Sequence, residues 1–147
     1  MSAPLALRFS GVTDGAQAQR CVVRVRFAEA LRIQSALESS DDERVHAFRL
    51  YCKRLRFAIE RLEAPPPGLD RAAALLSKVT DELGFAHDCA QLIDLAKETP
   101  APLVQARAKR DRDRYVERAA RLWHQAFAAD GAFAPLAAYA GFSWSTP

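Results

Sequence analysis

The sequence of 147 residues is poor in the features that build disulfide frameworks, metal sites and membrane spans. Its three cysteines, Cys21, Cys52 and Cys89, are far apart and form no CxxC pair. This spacing excludes a disulfide framework, and we expect no metal site and no cofactor. No run of about eighteen apolar residues occurs, which excludes a transmembrane helix. The first residues also lack the regions of a signal peptide, so we expect a soluble, cytoplasmic protein.

Phosphate-cradling loops and strand patterns are also scarce. No P-loop or other glycine-rich loop is present, so nucleotide hydrolysis has no visible machinery. Only "CVVRVRF" at residues 21–27 alternates like a strand, and good helix formers continue it without a turn. We therefore predict helix there. The fold class is all-α, an antiparallel bundle of four to five helices in a single domain over residues 1–147.

Proline and glycine divide the chain into segments of helical length. "APPPGLD" at 64–70 and "TPAP" at 99–102 must interrupt helices, and further breaks are predicted at Leu83-Gly84 and Asp130-Gly131. Helices are predicted over 14–38, 42–63, 69–83, 88–98 and 103–129, with a short turn at 135–139.

Several residues are predicted to lie at the ends of these helices. Asp14 caps the first helix, and Ser40 or Asp41 caps the second. Gly84 is interpreted as a left-handed residue that ends the third helix. We interpret His87 as a turn residue and Asp88 as the cap of the fourth helix.

Positive charge is concentrated in two segments, although the net charge is only +3. Residues 44–61 hold six Lys/Arg and one acid, and residues 107–121 hold seven and three acids. At about 100° per residue, two rows emerge, each within an arc of about 80°. The first row is His46, Arg49, Lys53 and Arg56. The second row is Arg107, Arg110, Arg114, Arg118 and Arg121.

The two rows of positive charge predict that the protein binds a chain of phosphate groups. Like charges one turn apart destabilise an isolated helix, and a bound anion would offset that cost. Asp111 and Asp113 are expected to point away from the second row. Arginine forks match phosphate oxygens, and a spacing of about 5–6 Å suits a repeating chain. Beside the second row, the predicted buried stripe is Val104, Ala108, Tyr115, Ala119, Leu122 and Ala126.

Nucleic acid is an alternative partner for a basic helical bundle. The rows lack interleaved aromatic residues for stacking single strands, and no recognition-helix or zinc-finger pattern is present. We therefore consider nucleic acid a less favoured partner than a simpler polyanion. A basic nucleic-acid-binding module remains an alternative function.

Two segments of the sequence resemble a known family. "VHAFRLYCKRLRFAIE" at 45–60, followed by "LSKVTDELGFAHDCAQLIDLA" at 76–96, is similar to the CHAD family, the conserved histidine α-helical domain. The resemblance covers about residues 41–127 and is closest to the second of the family's two repeats. The matching positions are His46, Arg49, Lys53, Arg54, Leu55 and Arg56, then Leu83, Gly84 and Asp88.

The resemblance implies non-enzymatic binding of inorganic polyphosphate and association with polyphosphate granules. It adds Arg54 to the site formed by the two rows, with the alternative that Arg54 pairs with Asp88 or Glu60. Family members usually contain two such repeats, and this chain has room for one, so a homodimer is predicted.

His46 also admits a second function. Histidine phosphotransfer domains are helical bundles with an exposed histidine near a basic residue, as in "VHAFRLYCK". Such sites usually keep small residues beside the histidine, whereas Phe48 and Tyr51 lie near His46. A role for His46 in anion binding is therefore preferred.

Overall fold

The computed structural model describes residues 3–99 and 101–143, and all regular structure within them is helical. The four long helices run antiparallel to their neighbours along the chain, and the third packs against both the second and the fourth. The predicted all-α antiparallel bundle is confirmed, as is helix over residues 21–27. The α-helices are α1 (Gly15–Arg32), α2 (Asp42–Glu60), α3 (Leu69–Glu98), α4 (Pro102–Gln125) and α5 (Ala134–Ala140).

Two aspartates cap the first two helices, as predicted. The Asp14 carboxylate accepts from Gln17 N at 2.8 Å, and the Asp41 carboxylate accepts from Glu43 N at 3.0 Å. These bonds satisfy amides that have no partner inside the helix. The single helix predicted over 14–38 is wrong in its last part, because α1 ends at Arg32 and a 3-10 helix follows over Gln34–Glu38.

The predicted break at Leu83-Gly84 is wrong, because α3 runs without interruption for 30 residues. Gly84 has no positive φ, and His87 and Asp88 lie inside the helix rather than in a turn and at a cap. The glycine lies instead beneath the guanidinium of Arg49 from α2, and a Cβ at Gly84 would lie 3.4 Å from Arg49 Nη2, at the near edge of ordinary contact.

The proline-rich break before α3 is confirmed, and Gly68 explains its sharpness. Gly68 has a φ of 93°, in the left-handed region that favours glycine. A Cβ there would also lie 2.7 Å from Pro135 Cγ at the start of α5. Both constraints select glycine at the point where the chain turns into α3. The predicted break at Asp130-Gly131 and the short element after it are also confirmed, the latter as α5.

Aromatic side chains from several helices form the centre of the core. Trp123 is fully buried, and its ring packs edge-on against Phe48 and Phe133, with centroids 5.0 Å apart in each case. Trp123 Nε1 donates to Gln34 Oε1 at 2.9 Å, which fixes the 3-10 helix to α4. From the sequence, both tryptophans are predicted to be packing groups rather than ligand-stacking groups; packing is confirmed for Trp123, and Trp144 lies outside the described residues.

The buried stripe of α4 differs from the prediction. Val104 is 44 % exposed, and Tyr115 and Leu122 are half-buried, whereas the predicted Ala108, Ala119 and Ala126 are buried. The stripe is rotated away from the second row, toward the face that carries Arg112, Val116 and Trp123. The buried residues of α4 are Ala108, Arg112, Val116, Ala119 and Trp123.

Candidate anion-binding surfaces

The first row lies where α2 packs on α3, and three of its four members contact α3. Arg49 Nε donates to the carbonyl oxygen of Thr80 at 3.1 Å, and Arg56 Nη1 donates to Ser77 Oγ at 3.2 Å. The His46 ring packs on His87, with centroids 4.5 Å apart and the planes tilted by 30°. These contacts hold the side chains in place before any ligand arrives.

The first row carries an excess of positive charge. Glu60 is the acid within ion-pair distance, with Oε1 3.4 Å from Arg56 Nε. Across residues 3–99 and 101–143, Arg49 and Lys53 form no ion pair. Three permanent cations therefore share one acid.

His46 is held mainly in its neutral form at neutral pH. Burial lowers the pKa of His46 below its ordinary 6.5, and the nearby His87, Arg49 and Lys53 lower it further. Its Nδ1 atom is buried, with no hydrogen-bond partner in the part of the chain that the structure describes. A bound anion would oppose these effects and favour the imidazolium.

Arg54 lies on the other flank of α2, away from the first row. Its guanidinium stacks on the Tyr51 ring at 5.3 Å from the centroid, and it lines a groove with Gln19 and Arg26 of α1. The predicted alternative pairing with Asp88 or Glu60 is wrong, since Glu60 pairs with Arg56, one turn earlier on its own face of the helix.

The second row is exposed along α4, but acids accompany it. Asp111 Oδ2 lies 2.9 Å from Arg107 Nε, and Asp111 Oδ1 lies 4.0 Å from Arg114 Nη1. The expectation that Asp111 points away is therefore wrong, because a residue four positions from Arg107 lies beside it on the helix surface. Asp113 does point away from the row and bonds Arg112 at 2.9 Å.

The other half of the second row is similar. Arg121 Nη2 lies 3.3 Å from Glu117 Oε1, and Arg118 Nη1 lies 4.0 Å from Glu82 Oε2 of α3. Arg110 alone in the row has no acid within ion-pair distance among the described residues. Exposed pairs of this kind are worth little and exchange readily for another anion.

The two rows lie on different sides of α3. The first row meets α3 through residues such as Ser77 and Gly84, whereas the second row meets it at Glu82. At about 100° per residue, the exposed Asp81 and Asp88 lie between these two sets of contacts. The rows are thus two separate surfaces, and the exposed face of α3 between them carries Asp81 and Asp88 together with Lys78.

Sequence reasoning missed Arg112, which is buried and connects α4 to the start of α2. Its Nε lies 2.7 Å from Asp42 Oδ1, and its Nη1 lies 2.9 Å from Asp113 Oδ1. Burial lowers the pKa of Arg112, but the two carboxylates outweigh it and raise the pKa above its ordinary value. The signal was its position on the helical wheel, between the buried Ala119 and Trp123.

Within residues 3–99 and 101–143, no group of three or more potential metal ligands occurs. None of the helices in that part of the chain combines the length and apolar character that crossing a membrane requires.

Comparison with protein families matches residues 10–97 to the CHAD domain. The match covers more than half of the chain, so the chain belongs to the CHAD domain family, a family of binding domains linked in general to polyphosphate. It includes α1, α2 and nearly all of α3, and with them the first row. The second row lies outside the matched region, whereas the resemblance in sequence covers about residues 41–127. Comparisons with curated proteins and with solved structures gave no match.

Family membership gives a physical meaning to two residues of the quoted motif. Arg49 and Gly84 are far apart in sequence, and they meet where α2 packs on α3. The guanidinium lies against the glycine, and the carbonyl oxygen of Thr80 in the same helix accepts its hydrogen bond. The motif thus describes how one cation of the first row is positioned.

Proposed function

We propose that this protein binds inorganic polyphosphate without catalysing a reaction, chiefly through the first row. Membership of the CHAD family and the excess of positive charge on α2 support the proposal. The predicted association with polyphosphate granules in the cytoplasm would follow from this binding, and it stays a prediction.

The observation that carries the proposal is the geometry of the first row. Its members follow one another at three or four residues, which is about 4.5–6 Å along the helix. Arg49 and Arg56 are oriented by hydrogen bonds to α3, so less conformational entropy is lost when they bind. A chain of phosphates could contact one such side chain after another, with Lys53 as a mobile charge between the arginines.

The second row is proposed as an additional, weaker surface. Its arginines must exchange acids such as Asp111 and Glu117 for phosphate oxygens, so each contact gains less. Polyphosphate binding to the second row should weaken more strongly with added salt than binding to the first row, because salt screens exposed charges. Asp81 and Asp88 on the face of α3 between the rows disfavour a continuous path of phosphates from one row to the other within one chain.

The test is a titration of the protein with long-chain polyphosphate at a fixed salt concentration, measured by isothermal titration calorimetry. Lys53→Ala/Arg56→Ala should bind about 100-fold more weakly, since hydrogen bonds to charged groups contribute about 1.5–3 kcal/mol each. Arg110→Ala/Arg114→Ala should bind about tenfold more weakly, because exposed pairs contribute less.

The matched control is Arg8→Ala/Lys109→Ala, which removes the same charge from exposed positions outside both rows and should bind like the wild type. Wild-type affinity in the Lys53/Arg56 variant would contradict the proposal. Duplex DNA that still binds in excess polyphosphate would instead support the nucleic-acid alternative, and acid-labile phosphate on His46 after treatment with phosphoryl donors would support phosphotransfer. Light scattering with and without polyphosphate tests the predicted homodimer.

A further inference from the structure

A groove between α1 and α2 lies on the flank of α2 opposite the first row. It has a volume of about 370 Å³, within the range of small-molecule sites. α1 and α2 each contribute residues spaced three or four positions apart, so that two helix faces line it. The lining residues are Gln19, Val22, Arg26, Arg54, Phe57, Ala58 and Arg61.

The groove is strongly positive. Neither Arg54 nor Arg61 has an acid within ion-pair distance anywhere in residues 3–99 and 101–143. Arg26 shares its charge with the buried Glu29, whose two oxygens lie 2.9 and 3.0 Å from Arg26 Nη1. Three guanidinium groups and one carboxylate leave an excess of positive charge, which selects an anion.

One of these arginines is already oriented. The Arg54 guanidinium lies over the Tyr51 ring, and stacking on a ring face leaves the N–H groups at the guanidinium edge available to bind oxygens. Phosphate oxygens match such an edge in a bidentate manner.

The middle of the groove is apolar and partly aromatic. Phe57 is 40 % exposed, and Val22 and Ala58 lie beside it in the groove. The Arg56 guanidinium lies over the Phe57 ring at 4.9 Å from the centroid, so the ring is supported from the side of the first row. An exposed aromatic ring on an apolar floor is suited to a flat aromatic body.

The spacing of the arginines indicates the size of the ligand. Arg54 and Arg61 are seven residues apart, about 10 Å along the helix axis, with Phe57 between them. An anion with an extended body fits this distance better than one inorganic phosphate does. Gln19 Oε1 accepts from Glu63 N at 3.4 Å, which leaves the Gln19 amide N–H groups for a polar ring edge.

We propose that this groove binds a small aromatic anion of the nucleoside-phosphate class, with the base against Phe57 and the phosphates on Arg54 and Arg61. One exposed aromatic serves one base, whereas a nucleic-acid strand needs successive aromatics, so a mononucleotide is favoured over a strand. The groove shares no side chain with the first row, and the inference does not rest on polyphosphate binding.

The test follows backbone amide signals of the ¹⁵N-labelled protein during titration with ADP. Signals over residues 19–26 and 54–61 should shift. Inorganic triphosphate, which has the charge but no base, should bind this groove about tenfold more weakly, in line with the usual contribution of stacking. Phe57→Ala should weaken ADP binding about fivefold or more and leave triphosphate binding unchanged. Arg54→Ala/Arg61→Ala should abolish the shifts, whereas the control Arg8→Ala/Lys109→Ala should keep them.

Three results would overturn the inference. Triphosphate binding as tightly as ADP in the groove would leave no role for the aromatic ring. ADP shifts confined to the first row would place the nucleotide elsewhere. An oligonucleotide that binds the groove more tightly than ADP would identify a strand-binding surface. An Arg49→Ala/Lys53→Ala variant, which leaves the Arg56 guanidinium over Phe57, should lose polyphosphate binding and keep these ADP shifts, and this outcome separates the groove from the proposed function.

Discussion

Replacement of Gly84 by alanine should stabilise the protein, although glycine lies in the quoted family motif. Gly84 is in the middle of α3 and has no positive φ, so alanine can adopt its backbone conformation. A helix interior favours alanine over glycine by about 1 kcal/mol. The opposing cost is small, because the new Cβ would lie 3.4 Å from Arg49 Nη2 and 3.5 Å from Arg49 Nε, at ordinary contact distance. The expected net gain is about 0.5–1 kcal/mol.

Urea unfolding followed by circular dichroism measures this change, and a thermal midpoint about 2–4 °C higher should accompany it. The matched control is Ala74→Gly, an exposed position of the same helix, which should lose about 1 kcal/mol. Gly84→Leu should displace Arg49 from Thr80 and weaken polyphosphate binding. If Gly84→Ala lost 1 kcal/mol or more, the close approach of Arg49 would require glycine, and the reasoning from contact distance would be refuted.

Two further predictions concern charged groups at the helix contacts. Because the folded state lowers the pKa of His46, the free energy of unfolding of the wild type should decrease as the pH falls from 6.5 through that lowered pKa. The His46→Gln variant should not show this decrease. Equal pH dependence of the two proteins in urea unfolding would contradict the prediction. Bound polyphosphate favours the imidazolium, so its affinity should rise over the same fall in pH only in the wild type. Arg112→Ala should lose about 2–3 kcal/mol through its lost charged hydrogen bonds and packing, whereas Arg112→Met should stay within about 1 kcal/mol of the wild type. An alanine variant as stable as the wild type would show that the bond to Asp42 does not stabilise the fold.

The sequence was sufficient for features that depend on local periodicity. Helical spacing alone grouped the first row on one face of α2, and cap chemistry identified Asp14 and Asp41. These predictions succeeded because each depends on residues within one or two turns of the same helix.

Features that depend on a second helix were missed. Gly84 has the local character of a helix terminator, and its contact with the guanidinium of Arg49, which another helix carries, could not be read from its sequence neighbours. In the sequence, Arg112 resembles the other cations of α4, and its pairing with Asp42 of α2 becomes evident only in the folded structure. The pairing of Arg107 with Asp111 was a different error, because it lies within one helix and the spacing of four residues could have revealed it.

The burial of Trp123 has a consequence for the design of shortened chains. The family match ends at residue 97, yet Trp123 fills the centre of the core and contacts Phe48 of α2, Phe133 and Gln34. A fragment limited to 10–97 would leave the apolar faces of α2 and α3 uncovered, and we expect it to aggregate rather than fold. The limits of sequence similarity are therefore not the limits of the folding unit, and we expect a folded chain that presents the first row to require residues at least through α5.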